Sequence, residues 1–276
     1  MITAAELSDL GTLAIALARE GGELAARRRG GAVTVEYTKS SQSDIVTAVD
    51  REVEDLLRSR LASARTDDAI LGEEQDNQAG TSGLTWVIDP IDGTVNYLYG
   101  LPFWSVSVAV CAGTPDPSGW DLLAGAVCAP ALERTWHAVK GAGAYRDGEP
   151  VHVAAGETLA QSLVATGFGY QSGQRAFQSQ VFLEVIPQVR DIRRFGSAAV
   201  DLCLVAEGVF DGYYESGINS WDVAAGELIV REAGGVVSGL DGGPWSTEMV
   251  IAANPRLAAD LERLVSAAHT NAKGRV

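Results

Sequence analysis

Hydrophobic residues in the first half of the chain repeat first with a helical period and then with a strand-like one. Residues 7–29 carry Leu and Ala at helical spacing, which predicts an amphipathic helix that is loosened at Gly21-Gly22. A second helix is expected to follow Asp50. The later apolar runs are short and rich in β-branched residues, which is typical of strands. The predicted strands lie at 45–49, 69–71, 85–88, 103–111, 122–128 and 135–139, with a β-like segment from Val33 and a polar loop at 39–44.

The second half mixes the two patterns more evenly. Strands are expected at 162–166, 192–195, 212–215, 236–237 and 249–252, and helices at 176–189, 197–206, 221–232 and after Pro255. Helices followed by a run of strands predict an α+β half over 1–150, and the mixed pattern predicts an α/β half over 151–276. No internal repeat or flexible linker separates the halves, so we expect them to pack as one compact unit.

The composition and charge argue against several classes of protein. The 276 residues include 36 acidic and 21 basic ones, giving a net charge of −15, which disfavours nucleic acid and anionic membranes as partners. No apolar run approaches the ~18 residues of a membrane span. The N-terminus carries Glu6 and Asp9 where a signal peptide would be positive. Because the three cysteines also lack C-x-x-C spacing, we expect a cytoplasmic protein with reduced, buried thiols.

The segment WVIDPIDGTVN at 86–96 carries the first candidate chemistry. Pro90 fixes its own φ, so a rigid turn brings the carboxylates of Asp89 and Asp92 together. Such carboxylates repel each other unless a cation lies between them. Gly93 allows close approach of a ligand, and a helix beginning there would offer its amides, including that of Thr94, to an oxyanion. The segment indicates a metal beside a phosphate. Asp-Pro-x-Asp-Gly is also good turn chemistry, and the segment alone leaves both interpretations open.

Further acidic residues stand where predicted strands end or helices begin. They are Asp50, Glu73, Glu74 and Asp222. Sites made only of carboxylate oxygens suit hard cations such as Mg²⁺. The three histidines are far apart in sequence, which argues against a zinc site. The G-x-S-x-G and G-x-x-x-x-G-K-[ST] motifs are both absent, and Gly167-Phe-Gly169 does not extend to G-x-G-x-x-G.

Two long segments together resemble the signatures of the inositol monophosphatase family of magnesium-dependent, lithium-sensitive phosphatases. They are WVIDPIDGTVNY at 86–97 and WDVAAGELIVREAGG at 221–235. The segments LGEE at 71–74, GSAAVDLC at 196–203 and YYE at 213–215 are also similar to that family. Two signatures in the right order are far more specific than one short motif. The resemblance implies a layered αβαβα fold, which the family shares with fructose-1,6-bisphosphatase, and a homodimer.

The resemblance also implies a metal centre with two magnesium ions. Glu73, Asp89 and the carbonyl of Ile91 would hold one ion, and Asp89, Asp92 and Asp222 would hold the other. Asp89 would then be shared between two cations, which explains why its close acidic neighbours are tolerated. A third, weaker ion near Glu73 is often implied for the family.

The implied reaction is hydrolysis of a phosphate monoester by direct attack of an activated water, without a phosphoenzyme. Thr94, hydrogen-bonded to Asp50, would orient the water and help to remove its proton, so these two residues and Glu73 are the expected catalytic residues. The amides of Gly93 and Thr94 would bind phosphate oxygens.

Substrate choice is expected to depend on the second half of the chain. By resemblance, Glu215, the amide of Ala198 and Asp92 would contact the hydroxyls of inositol 1-phosphate. The nearest alternative is a histidinol-phosphate phosphatase of the same superfamily, with nucleotide 3′-phosphatase and fructose bisphosphatase activities behind it. A regulator or scaffold that keeps the fold is a further alternative, but it predicts erosion of the metal ligands, and these are all present.

Overall fold

Helices and strands alternate along much of the chain. The computed structural model describes residues 2–30, 35–38, 45–156 and 158–275. Its helices are α1 Ala4–Arg29, α2 Ala48–Ala64, α3 Thr94–Tyr99, α4 Ser172–Val185, α5 Ala198–Ala206, α6 Ser220–Glu232 and α7 Ala258–Lys273. Its strands are β1 Val35–Thr38, β2 Ile45–Thr47, β3 Ala69–Gly72, β4 Leu84–Asp92, β5 Ser105–Gly113, β6 Trp120–Ala129, β7 Arg134–Val139, β8 Gly143–Arg146, β9 Glu149–Pro150, β10 Leu163–Thr166, β11 Asp191–Arg193, β12 Gly212–Glu215, β13 Val236–Ser238 and β14 Val250–Ala253.

The strands form two large sheets and a small β1-β2 ladder. The first large sheet runs in sequence order from β3 to β9, and it is antiparallel except for the parallel pair β3-β4. The second has the order β11-β10-β12-β14-β13, with β11, β10 and β12 parallel to one another. The first sheet lies within the predicted α+β half and the second within the predicted α/β half. The division of the chain at residue 150 stays a prediction.

Three helical layers enclose the two sheets. Helices α1 and α2 pack on the outer face of the first sheet, where their apolar residues form one hydrophobic cluster with it. Helices α5 and α6 lie between the sheets and α4 and α7 cover the outer face of the second one. The order of layers is αβαβα, as expected. In the described part of the chain, no helix combines the length and hydrophobicity needed to cross a membrane.

Helix α1 is continuous across Gly21-Gly22, so the predicted loosening there was wrong. Both glycines are buried against the first sheet. A Cβ on Gly21 would lie 3.1 Å from Val106 Cγ1, and one on Gly22 would lie 2.9 Å from Cys128 Sγ. The glycines therefore serve close packing of helix on sheet, which a one-dimensional pattern cannot distinguish from a break.

Helix α2 begins earlier than predicted, and this changes the place of Asp50. The helix is capped by Thr47, and Asp50 is the third residue inside it rather than the residue before it. The backbone amide of Thr47 donates to Asp50 Oδ2 at 2.9 Å, and the Thr47 side chain in turn accepts from the first turn. Asp50 is thereby held rigidly and fully buried. The predicted polar loop at 39–44 and the start of the β-like segment at Val33 lie outside the described residues.

Candidate active site

The two aspartates of the 86–96 segment lie within β4, which runs to Asp92 and not only to Ile88 as predicted. In the pairing with β5, Asp89 faces Ser107 and Asp92 faces Ser105, with a register shift between them. Three steps along β4 thus match two along β5, which is a β-bulge. Because Pro90 has no amide hydrogen to donate to the ladder, a bulge is a place where it fits. Both aspartates are buried at this bulge.

Other elements bring further carboxylates to the same place. Strands β3 and β4 are parallel with Gly72 level with Ile88, so Glu73 follows β3 just where Asp89 stands on β4. Asp222 comes from the first turn of α6, where its Oδ2 accepts a hydrogen bond of 2.6 Å from the Asn219 amide. Carboxylate oxygens of Asp89, Asp92 and Asp222 all lie within 4.8 Å of one another.

Asp89 is the carboxylate of this cluster whose negative charge is least offset by hydrogen bonds from the protein. Both of its oxygens are buried and find no hydrogen-bond partner within the described residues. Burial and the neighbouring charges of Glu73, Asp92 and Asp222 raise the pKa of Asp89 well above its usual range. Burial and the charges of Asp92, Glu73 and Glu215 likewise raise the pKa of Asp222, and the hydrogen bond from the Asn219 amide opposes the rise. A buried carboxylate without donors, among like charges, fits a hard cation, so the residues present fit a magnesium centre.

Asp92 differs from Asp89 because part of its charge is compensated by α5. Its Oδ2 accepts hydrogen bonds from the Ser197 hydroxyl at 2.6 Å and from the Ala199 amide at 2.7 Å. Burial raises the pKa of Asp92 to about 6, and these hydrogen bonds together with the Ala198 amide oppose the rise. The sequence interpretation missed Ser197, although it stands in the GSAA segment that carried part of the resemblance.

Thr94 and Asp50 meet as the resemblance implied. Thr94 Oγ1 lies 3.1 Å from Asp50 Oδ1 and 3.0 Å from the carbonyl oxygen of Ile91. Burial raises the pKa of Asp50 to about 6, opposed mainly by its hydrogen bonds from Thr47. Gly93 immediately precedes α3, and its φ of 93° and ψ of 38° favour glycine. A Cβ there would lie 2.9 Å from the Phe103 carbonyl oxygen.

The opposite side of the site is built by the second sheet and its loops. Glu215 ends β12, and its Oε2 accepts a hydrogen bond of 2.7 Å from the Tyr213 hydroxyl. Burial raises the pKa of Glu215 to about 7, and the Tyr213 hydrogen bond opposes the rise. Ala198 is the buried first residue of α5.

One cleft of about 150 Å³ joins both sides. Nine predicted site residues line it: Glu73, Asp89, Ile91, Asp92, Gly93, Thr94, Ala198, Glu215 and Asp222. Asp50 does not line the cleft but stands behind Thr94. The cleft also contains Tyr170, Gln174 and Arg194, which the sequence interpretation did not single out.

Glu54 was also missed, although it holds the loop that carries Glu73. It is fully buried on α2, where its Oε1 accepts from Arg58 Nε at 2.7 Å and its Oε2 accepts from the Glu74 amide at 2.8 Å. Because the Glu74 amide belongs to the peptide that follows Glu73, this hydrogen bond restrains the backbone of the candidate metal ligand. The only sequence signal was an acidic residue on the apolar side of a helix.

Fold and site together define a layered αβαβα protein with a buried carboxylate cluster at one end of a small-molecule cleft. Comparison with known proteins gives the family. Residues 6–272 match the model of the inositol monophosphatase family, and the chain belongs to that family.

Individual relatives agree with this assignment. The chain is 42% identical to the inositol-1-monophosphatase SuhB of Mycobacterium tuberculosis over 81% of its own length and 78% of the relative's. It is 34% identical to a fructose-1,6-bisphosphatase/inositol-1-monophosphatase of Aquifex aeolicus, covering 86% and 88% of the two chains. Among solved structures, an IMPase of Thermotoga maritima matches with a TM-score of 0.83 and 31% identity, covering 95% and 98%. The chain is therefore a phosphatase of a metal-dependent family that acts on small phosphorylated substrates.

Proposed function

We propose that the protein is a Mg²⁺-dependent phosphomonoesterase that hydrolyses inositol 1-phosphate to inositol and phosphate. The observation that carries the proposal is the facing arrangement of two kinds of acid in one cleft. Asp89, Asp92 and Asp222 form a cluster that fits cations, whereas Glu215 stands apart from it and is free to accept hydroxyls. A phosphorylated polyol fits this arrangement, because its phosphate can lie beside the cations and its hydroxyls beside Glu215.

The chemistry follows from the residues around Thr94. When bound, two or three magnesium ions supply the positive charge that polarises the phosphate and lowers the pKa of the attacking water. Thr94 Oγ1 donates a hydrogen bond to the carboxylate of Asp50, so its lone pairs face the attacking water. As the water attacks, its proton passes to Thr94 Oγ1 while the Thr94 proton passes to Asp50, which is the final proton acceptor. The amides of Gly93 and Thr94 then hold phosphate oxygens as charge redistributes.

The alcohol end of the substrate is recognised by groups from the second sheet and α5. Glu215, already oriented by Tyr213, accepts hydroxyl hydrogen bonds from the polyol. Asp92 and the amide of Ala198 complete the contacts on the α5 side. The phosphate ester therefore spans the cleft from the acidic cluster to Glu215.

The test is phosphate release from inositol 1-phosphate, histidinol phosphate and 3′-phosphoadenosine 5′-phosphate, with and without Mg²⁺. We expect inositol 1-phosphate to be the best substrate and turnover to vanish with chelator. Thr94→Ala should lower kcat about 100-fold, because it removes the group that passes the proton of the water to Asp50. Thr94→Ser keeps the hydroxyl and should retain most activity. Near-equal loss in both variants, or preference for another substrate, contradicts the proposal.

A second candidate substrate is a sugar bisphosphate. Arg194 lines the cleft, and within the part of the chain that the structure describes its guanidinium makes no hydrogen bond or ion pair, although its charge lowers the pKa of Glu215. A cation beside the alcohol end suits a second phosphate, and the Aquifex relative carries both activities in its name. If this candidate holds, Arg194→Ala raises the KM for fructose 1,6-bisphosphate about tenfold more than the KM for inositol 1-phosphate.

The family resemblance further supports a lithium-sensitive homodimer in the cytoplasm. Tyr99 and Leu101 are 75% and 52% exposed, and we expect a second copy to bury them. The three cysteines are free and buried, as expected in a reducing compartment. Sedimentation at micromolar concentration should give twice the chain mass, and Li⁺ should inhibit phosphate release.

A further inference from the structure

The glycines of the Gly167-Phe-Gly169 segment leave space that side chains from other elements fill. A Cβ on Gly167 would lie 2.0 Å from Glu215 Oε2, and a Cβ on Gly169 would lie 2.0 Å from Gln174 Oε1. Glu215 and Gln174 therefore lie against the same short stretch of backbone. Both side chains also line the cleft.

Gln174 is held from a second direction by the loop that follows β12. A Cβ on Gly217 would lie 1.6 Å from Gln174 Nε2, so this amide packs directly against the backbone at Gly217. Strands β10 and β12 are parallel neighbours, and the loops after them begin at the same edge of the sheet. Gln174, from the first turn of α4, is inserted between these two loops.

These two loops do not depend on Gln174 for their positions. Gln178, one turn further along α4, accepts from the Gly169 amide at 2.8 Å and donates to the Ser216 carbonyl at 2.8 Å. That buried amide already joins the loops. The amide of Gln174, by contrast, makes no hydrogen bond within the described residues although it is partly buried. A positioned amide without a protein partner, at the wall of a substrate cleft, is available to a ligand.

We propose that Gln174 is a specificity-determining residue that exchanges hydrogen bonds with hydroxyl groups of the substrate's alcohol, beside Glu215. The inference rests on the proposed function, since it requires a polyol phosphate as substrate. A carboxamide both donates and accepts, whereas the ionised Glu215 only accepts, so the pair reads neighbouring hydroxyls in complementary ways. A substrate whose alcohol portion carries no free hydroxyl groups gains no hydrogen bond from Gln174.

The experiment compares Gln174→Ala and Gln174→Met with wild type at saturating Mg²⁺. The readout is kcat/KM for inositol 1-phosphate and for glycerol 2-phosphate, each divided by kcat/KM for 4-nitrophenyl phosphate. Both variants should lower both ratios about five- to tenfold, mainly through KM, because one or two neutral hydrogen bonds are lost. Methionine keeps most of the volume of glutamine, so an equal effect assigns the loss to hydrogen bonding rather than packing. Gln171→Ala, an exposed change before the same helix, should leave the ratios at wild-type values.

The other possible results of this experiment contradict either this inference or the proposed function, and they can be told apart. Ratios within twofold of wild type in both Gln174 variants overturn this inference alone. An equal loss on all three substrates, with a lower Tm, makes Gln174 structural and also overturns it; Gln178→Ala shows what such a structural loss looks like. A wild-type protein that hydrolyses 4-nitrophenyl phosphate but neither polyol phosphate overturns the proposed function itself.

Discussion

The two sides of the cleft differ in how their polar groups are satisfied by the protein. On the metal side, formed by Glu73, Asp89, Asp92 and Asp222, carboxylates converge and Asp89 has no donor among the described residues. On the alcohol side, formed by Gln174, Ala198 and Glu215, the carboxylate has a tyrosine donor and the loops are joined by Gln178. The metal side therefore leaves buried negative charge uncompensated by the protein, as expected of a cation site, whereas on the alcohol side protein hydrogen bonds already fix Glu215 and the loops.

The largest effect is expected from neutralising the centre of the metal side. Asp89→Asn should lower phosphate release at least about 1000-fold, because several kcal/mol of charge stabilisation depend on the bound cations. The same change should raise the Tm of the metal-free protein by about 2–6 °C, since it removes a buried carboxyl that must either carry its charge among like charges or take up a proton at a cost in stability.

This account holds only if Asp89→Asn lowers phosphate release and raises the Tm of the metal-free protein. Asp9→Asn, an exposed change on α1, serves as the control and should alter neither quantity. A lower metal-free Tm in Asp89→Asn would show that the carboxylate is stabilised by the protein alone, and the contrast between the two sides would then fail.

A smaller effect is expected from the support behind the metal side. Glu54→Gln keeps the shape but removes the charge that pairs with Arg58 and holds the Glu74 amide. We expect the dissociation constant for Mn²⁺, measured by calorimetry, to rise about tenfold, because partners behind a ligand set its position. At saturating metal, the KM for inositol 1-phosphate should change less than twofold. The exposed Glu23→Gln provides a matched control. Unchanged Mn²⁺ binding would make Glu54 a purely structural residue.

The metal side could be predicted from the sequence because it is largely local. Asp89, Asp92, Gly93 and Thr94 lie within six residues, where a rigid proline and like charges fitted either a turn or a cation site. Glu73, Asp222 and the second signature decided in favour of the cation site. Asp222 was identified through a second signature at the start of a helix. The distances between the site residues depend on the bulge, which arises from pairing with β5, and on the cap of α2 at Thr47. Neither could be derived from the hydrophobic pattern of the sequence.

The alcohol side could be predicted only in part. Glu215 and Ala198 were found by resemblance, but Gln174 was not, because its position depends on the parallel pairing of β10 and β12. Helix α4 was predicted to begin at 176 but begins at Ser172. Its first turn is polar and lacks a side-chain cap, so neither the apolar period nor a capping signal marks it. Gln174 therefore lies before the predicted start of the helix, and no neighbours could be expected for it.

The smallest effect is a pH dependence that belongs to the alcohol side alone. Burial raises the pKa of Glu215 to about 7, further raised by Asp92 and lowered by Tyr213 and Arg194. Above that pH the carboxylate is ionised and accepts strong hydrogen bonds from hydroxyls; below it, the protonated acid loses this charge. The kcat/KM for inositol 1-phosphate, divided by that for 4-nitrophenyl phosphate, should fall about fivefold from pH 8 to pH 6. Dividing by the kcat/KM for 4-nitrophenyl phosphate cancels the effect of ionisations, such as that of Asp50, that alter the hydrolysis of both substrates.

Glu215→Gln separates this ionisation from the rest of the site. Its ratio should be low and flat with pH, because the neutral amide cannot titrate. Stability gives a second measurement with a definite sign: a raised carboxyl pKa adds stability below the unfolded value of 4.5 that is lost as pH rises through about 7. The wild type should therefore lose more Tm than Glu215→Gln between pH 5 and pH 8. A ratio that falls equally in both proteins would show that a group other than Glu215 titrates, and it would contradict the assignment of this pH dependence to Glu215.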